Sequence, residues 1–147
     1  MFKELIVGLL MASFPTAVVA GELSWETDYK VAEERATEEG KVLLISFTGS
    51  DWCQWCRKLE GGLFADEDFV AGIEEMAVLL RLDFPQRKRL PVKEERRNRV
   101  LKEKWGVEDF PTVIVFDVKA EKEVWRHGYV PTSGEDYLEA LREVWEE

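Results

Sequence analysis

The sequence predicts an α/β domain, and two observations carry that prediction. Helical and strand patterns alternate from residue 28 to the C-terminus, and one strand pattern, Val42 to Phe47, is an unbroken apolar run of the kind that lies mid-sheet with both faces covered. With 147 residues and 46% hydrophobic content, the chain can build one core without a disulfide framework.

The elements follow in order. Asp28 to Glu39 reads as an amphipathic helix ended by Gly40, and the apolar run Val42 to Phe47 comes next as the central strand. A helical pattern holding both cysteines continues to about Glu60, where Gly61-Gly62 breaks it. Asp66 has the side chain of an N-cap for a short helix through Glu75, and Ala77 to Asp83 makes a second strand. A polar connection with Pro85 and Pro91 leads into a helix from Val92 to Trp105, stopped by Gly106; its apolar positions Val92, Val100, Leu101 and Trp105 are expected to pack inward. Thr112 to Asp117 and Glu123 to His127 are strands joined by a charged turn, and Ser133 or Gly134 opens the last helix.

A net charge of −10 argues against general nucleic-acid binding and suits a soluble monomer. Residues 87 to 104 reverse the balance, with nine basic side chains against three acidic ones. Two readings stand: a docking face, or an ordinary solvated helix surface. Of six tryptophans, Trp52 and Trp55 flank the cysteines, while Trp25, Trp105, Trp125 and Trp145 fall on faces that suit packing. His127, alone of its kind, sits near a strand end and is assigned no role.

The first twenty residues differ from the rest. Leu5 to Val19 is nearly free of charge, follows Lys3, and ends in Ala17-Val18-Val19-Ala20 before Gly21, which reads as a secretory signal cleaved after Ala20. An uncleaved N-terminal anchor and a buried N-terminal helix are the alternatives. Export would place the remaining domain, residues 21–147, in a periplasmic or secreted setting that permits disulfides.

Cys53 and Cys56, the only cysteines, stand where the central strand gives way to a helix. Backbone N–H groups at such a junction are unsatisfied, and the helix dipole favours negative charge, so a cysteine there loses its proton more easily. A second cysteine three residues on shares the helical face and can close a small ring after the first has attacked a disulfide. The pair can also be read as half of a zinc site, as a soft Cu(I) carrier site, or as a structural staple. Zinc lacks ligands, since the chain offers only His127 besides, and so short a loop removes little entropy from the unfolded chain.

The run Trp52-Cys53-Gln54-Trp55-Cys56 after a strand, with Trp105-Gly106-Val107-Glu108-Asp109-Phe110-Pro111-Thr112 before another, resembles the thioredoxin superfamily over roughly residues 24 to 147. Within it, the stretch is similar to exported disulfide reductases of the DsbH type, related to the C-terminal domain of DsbD, whose site reads S-D-W-C-x-W-C-x-K-L. The resemblance implies a thioredoxin-like fold, a central mixed β-sheet flanked by helices. It implies Cys53 as nucleophile and Cys56 as resolving residue, with that redox-active pair in place of any cofactor or metal. Trp52, Trp55, Phe110 and Pro111 would form the substrate-binding surface, with Pro111 in a cis peptide and the Phe110 backbone pairing with an extended substrate. Without the resemblance, Pro111 reads as a trans proline opening an edge strand. Protein disulfides would be the substrates, and a DsbD-type membrane reductase the electron donor. Where cytosolic thioredoxins carry a buried acid, this chain has Ser46; Asp51 is expected at the exposed mouth, so the base for Cys56 is unassigned. Gln54-Trp55 brings no positive charge between the cysteines, which favours a reductant or a mid-range exchanger, and the resemblance points the same way, to a reductase over an oxidase or isomerase.

Overall fold

A computed structural model describes residues 22–146; the predicted export signal, residues 1–20, lies outside them. The elements are β1 (Trp25–Glu26), α1 (Tyr29–Glu39), β2 (Val42–Thr48), α2 (Gln54–Gly61), a 3₁₀ turn (Leu63–Ala65), α3 (Glu67–Met76), β3 (Ala77–Asp83), α4 (Val92–Lys104), β4 (Thr112–Asp117), β5 (Lys122–His127) and α5 (Gly134–Glu146). They form one five-stranded sheet in the order β1-β3-β2-β4-β5. β1, β3 and β2 run parallel, and β4 is antiparallel to both β2 and β5, so the sheet is mixed. β1 leaves no signal in the sequence, because two residues are too few to show a period.

All seven residues of β2 are buried, as a central strand requires. Its two-residue alternation sends Val42 and Leu44 to one face, with Leu59, Phe69, Ile73, Tyr137 and Leu141 from α2, α3 and α5. Leu43, Ile45 and Phe47 face the other way, against Ala32 and Ala36 of α1. Each large apolar side chain buried in this way contributes about 1.5–3 kcal/mol. Local signals close the helices. Asp28 accepts from the Lys30 and Val31 N–H groups, Asp66 from those of Asp68 and Phe69, and Ser133 Oγ from that of Asp136. Gly40 ends α1 at φ 64°, where a side chain would be strained.

α4 departs from expectation. Val92 and Val100 are 70% and 58% exposed, whereas Asn98 is buried. Leu101 and Trp105 do pack against the core. The inward turn of the helix is held by a polar group: Asn98 Nδ2 donates to the Asp83 carbonyl at the end of β3, 3.0 Å away. That bond, together with the packing of Leu101 and Trp105, defines the inward face of the helix.

Candidate active site

β2 and β3 run parallel and end side by side at Thr48 and Asp83. Their C-terminal edge, where ligands of open α/β sheets gather, is where the cysteines sit. Cys53 is the N-cap of α2, and its sulfur accepts from the Cys56 N–H at 3.2 Å, taking the place of a capping oxygen. Cys56 lies one turn in, with the Gly49 N–H directed at its sulfur from 3.4 Å. The two are joined as a disulfide with Cα atoms 5.2 Å apart. Cys53 keeps 5% of its surface exposed and Cys56 1%. Both sulfurs therefore meet a backbone N–H, the type of donor that stabilises a thiolate once the bond is reduced.

The four residues expected to bind substrate fall into two groups. Trp52 packs edge-on against Phe110, with centroids 5.6 Å apart, and its indole N–H donates to the Phe84 carbonyl at 2.7 Å. Phe84 in turn contacts Phe110 and stacks on Phe47 of β2, which ties this wall to the core. Phe110 leads through a cis peptide into Pro111 and then β4. Trp55 stands apart, half-exposed, on Tyr129 and beneath the Lys58 ammonium. Phe84 and Tyr129 had no signal in the sequence, since neither belongs to a motif.

Asp51 is not a free acid at the mouth. Its carboxylate accepts from the N–H groups of Gln86, Arg87 and Lys88 at 2.8–2.9 Å, and these bonds hold its pKa below the usual carboxylate range. It fastens the connection after β3 to the start of the cysteine segment. Asp83 does the same from the other side, accepting from the Ser50 N–H and hydroxyl.

Behind Cys56 lies a cleft of about 400 Å³ walled by Thr48, Arg57, Glu60, Arg81 and Asp83. Glu60 is four residues after Cys56 on α2 and receives two hydrogen bonds from the Arg81 guanidinium, at 3.1 and 2.7 Å. Burial nevertheless pushes its carboxyl above the ordinary value, outweighing Arg81, and Asp83 adds to the rise. Ser46 is paired with Arg81 in the sheet and is 1% exposed; its hydroxyl has no hydrogen-bond partner. The acid missing from β2 is therefore not replaced on β2, and the carboxyls that share the cleft with Cys56 come from α2, as Glu60, and from β3, as Asp83. Register between parallel β2 and β3 could have placed Arg81 beside Ser46, but Glu60 reaches Arg81 across 21 residues of sequence. Among the described residues, no group of three or more His, Cys, Asp or Glu side chains could hold a metal ion.

His127 is remote from this chemistry in its contacts. Its Nε2 is 2.8 Å from the Tyr137 hydroxyl and its Nδ1 2.8 Å from the Gly128 carbonyl. A carbonyl only accepts, so Nδ1 carries the proton and Nε2 accepts from Tyr137. Burial lowers its pKa, which suits that neutral form.

The sequence model of the thioredoxin-like domain matches residues 29–145. The chain belongs to the thioredoxin-like family. This thioredoxin-like chain is 31% identical over 127 residues to the disulfide bond reductase DsbH of Chlamydia pneumoniae, covering 85% of this chain and 74% of that protein. It is 26% identical over 131 residues to the thioredoxin-related protein DsbJ of the same organism, spanning 86% of this chain but only 37% of DsbJ. The solved DsbH oxidoreductase superposes with a TM-score of 0.80 at 28% identity, over 93% of this chain and 92% of that one. The C-terminal domain of Neisseria meningitidis DsbD, at 18% identity and a TM-score of 0.57 over 78% of this chain and 91% of that one, shares the fold. Family, fold and the cysteine spacing together make the chain a thioredoxin-like thiol-disulfide oxidoreductase.

Proposed function

We propose that this oxidoreductase works as a reductase of protein disulfides outside the cytoplasm, with Cys53 as nucleophile and Cys56 as resolving residue. The observation that carries the assignment of roles is the placement of Cys53 at the N-terminus of α2, with Cys56 one turn deeper and nearly sealed. An incoming disulfide reaches Cys53 first. In the reduced protein, the Cys53 thiolate attacks one sulfur of the substrate; a protein–substrate disulfide forms, and the other substrate sulfur leaves as a thiolate that takes a proton. The Cys56 thiolate then attacks the Cys53 sulfur, expelling the second substrate thiol. Two electrons pass to the substrate, and Cys53–Cys56 becomes the disulfide.

Cys56 must lose its proton for the second step. Glu60 shares its cleft, sits one turn away on α2, and has a carboxyl that burial shifts upward, which makes its carboxylate a stronger base for the Cys56 proton. Trp52, Phe110, Pro111 and Trp55 line the approach, and the Phe110 backbone would pair with the extended substrate segment. The reducing direction is supported by the absence of a cation between the cysteines and by the name of the relative that is 31% identical, a disulfide bond reductase. A reductase in an oxidising compartment needs recharging. A membrane reductase of the DsbD type would supply the electrons, and the N-terminal segment, read as a signal cleaved after Ala20, would supply the address.

Trapping tests the assignment. Cys56→Ser should accumulate a covalent adduct with disulfide substrates through Cys53, resolvable by dithiothreitol. An adduct with Cys53→Ser and none with Cys56→Ser would reverse the roles.

A further inference from the structure

Beside the cysteine cleft lies a second one, of about 360 Å³, between the connection after β3 and helix α4. Its lining includes Lys88, Arg89, Arg99 and Lys102 against one carboxylate of α4, Glu95. Asp83 and Lys88 line both clefts, so the cationic one continues into the space beside Cys56. The wall between them is fixed: Asp51 holds the Gln86, Arg87 and Lys88 backbone, and Trp52 holds the Phe84 carbonyl.

The positive charge is not used up inside the fold. Lys88 pairs with Asp83 and Arg97 with Asp28, but among the described residues Arg87, Arg89, Lys93, Arg96, Arg99 and Lys102 have no carboxylate partner within salt-bridge distance. Like charges this close repel one another, and a chain with 30 acidic residues had the means to neutralise them. The outer face of α4 adds Val92 and Val100, exposed between these cations.

We propose that this cleft and the outer face of α4 dock an acidic segment of the disulfide-bearing protein, delivering its disulfide to Cys53. The proposal rests on the reductase reading above and names the class of substrate that reading leaves open: proteins with Asp or Glu near the cysteines. Concavity favours a polypeptide over an anionic membrane, since a cleft takes up side chains whereas a bilayer presents a plane. α4 also exposes no aromatic residue of the type that seats a helix at a lipid interface.

The experiment compares two disulfide peptides that differ only in flanking residues, Asp and Glu in one, Asn and Gln in the other, reduced by the full chain at rising ionic strength. The acidic peptide should react about tenfold faster or more at about 10 mM salt, with the advantage gone near 1 M, where the screening length falls to about 3 Å. Arg99→Glu with Lys102→Glu should bring the ratio of the two rates to about one, and the milder Arg99→Gln with Lys102→Gln should lower it in the same direction. Equal rates for both peptides at low salt would overturn the docking surface and leave the reductase standing. A cysteine-free acidic peptide, followed by tryptophan fluorescence of the oxidised protein, separates the two claims. Salt-sensitive binding of that peptide without reduction of either disulfide would overturn the reductase and leave the docking surface. Binding to phosphatidylglycerol vesicles through Arg99 and Lys102, with no binding of the peptide, would assign the face to a membrane and overturn the proposal.

Discussion

Ser46→Ala should make the protein more stable. The Ser46 side chain shares a face of β2 with Val42 and Leu44, is 1% exposed, and lies between Arg81 on β3 and Val113 on β4. Its hydroxyl has no partner, and a buried, unpaired hydroxyl costs about 1–3 kcal/mol of desolvation. Removing the oxygen leaves a space of about 10 Å³, worth about 0.2 kcal/mol at the rate at which residual cavities destabilise. The balance is a gain of about 1 kcal/mol or more. For a domain of this size each kcal/mol raises Tm by about 2–4 °C, measurable by thermal or urea unfolding of the oxidised protein. The same variant separates two accounts of the resolving step. If Glu60 receives the Cys56 proton, release of the trapped substrate keeps its rate in Ser46→Ala. A loss of more than about 0.5 kcal/mol would refute the reasoning about stability, because it would mean that the hydroxyl is satisfied. A tenfold slower resolving step would show that Ser46 handles the proton.

Other outcomes follow from the same geometry. Glu60→Gln should slow the resolving step near neutral pH by about tenfold or more and move the rise of its rate to higher pH, where Cys56 ionises without the carboxylate, as seen by stopped-flow release of substrate thiol; an unchanged pH profile would clear Glu60 of that role. Tyr137→Phe removes the donor to His127 and should cost about 1 kcal/mol, lowering Tm by about 2–4 °C with little change in exchange rate. Because burial depresses the His127 pKa, its contribution to stability is fully present above its ordinary value of about 6.5 and is lost as pH falls through the lower folded value. His127→Gln should therefore flatten the acid side of the stability profile, and an unaltered slope would show that His127 is not the group titrating there.

Much of this site is legible in the sequence itself, and the limits have physical causes. The apolar run of β2, the glycine ending α1 and the Asp66 cap are local signals that packing had no reason to override. The cysteine pair was legible for the same reason, since its chemistry depends on a junction that three or four residues define. The outer side of α4 departs from its apolar pattern because Asn98, a polar residue, fills the inward position, so Val92 and Val100 face water. The family resemblance puts Asp51 at the exposed mouth, but says nothing of the segment 35–37 residues away whose N–H groups its carboxylate holds. The Glu60–Arg81 pair joins a helix to a strand, and only the register of the sheet brings Arg81 under that helix.

The reducing direction is tested most directly by the reduction potential of the Cys53–Cys56 couple, equilibrated in defined thiol buffers and read from tryptophan fluorescence, with Trp52 and Trp55 as the nearest reporters. A value near about −270 mV, where a thioredoxin lies, is expected of a disulfide reductase recharged by a stronger donor. A value near about −120 mV would make the protein an oxidant and would contradict the proposed function.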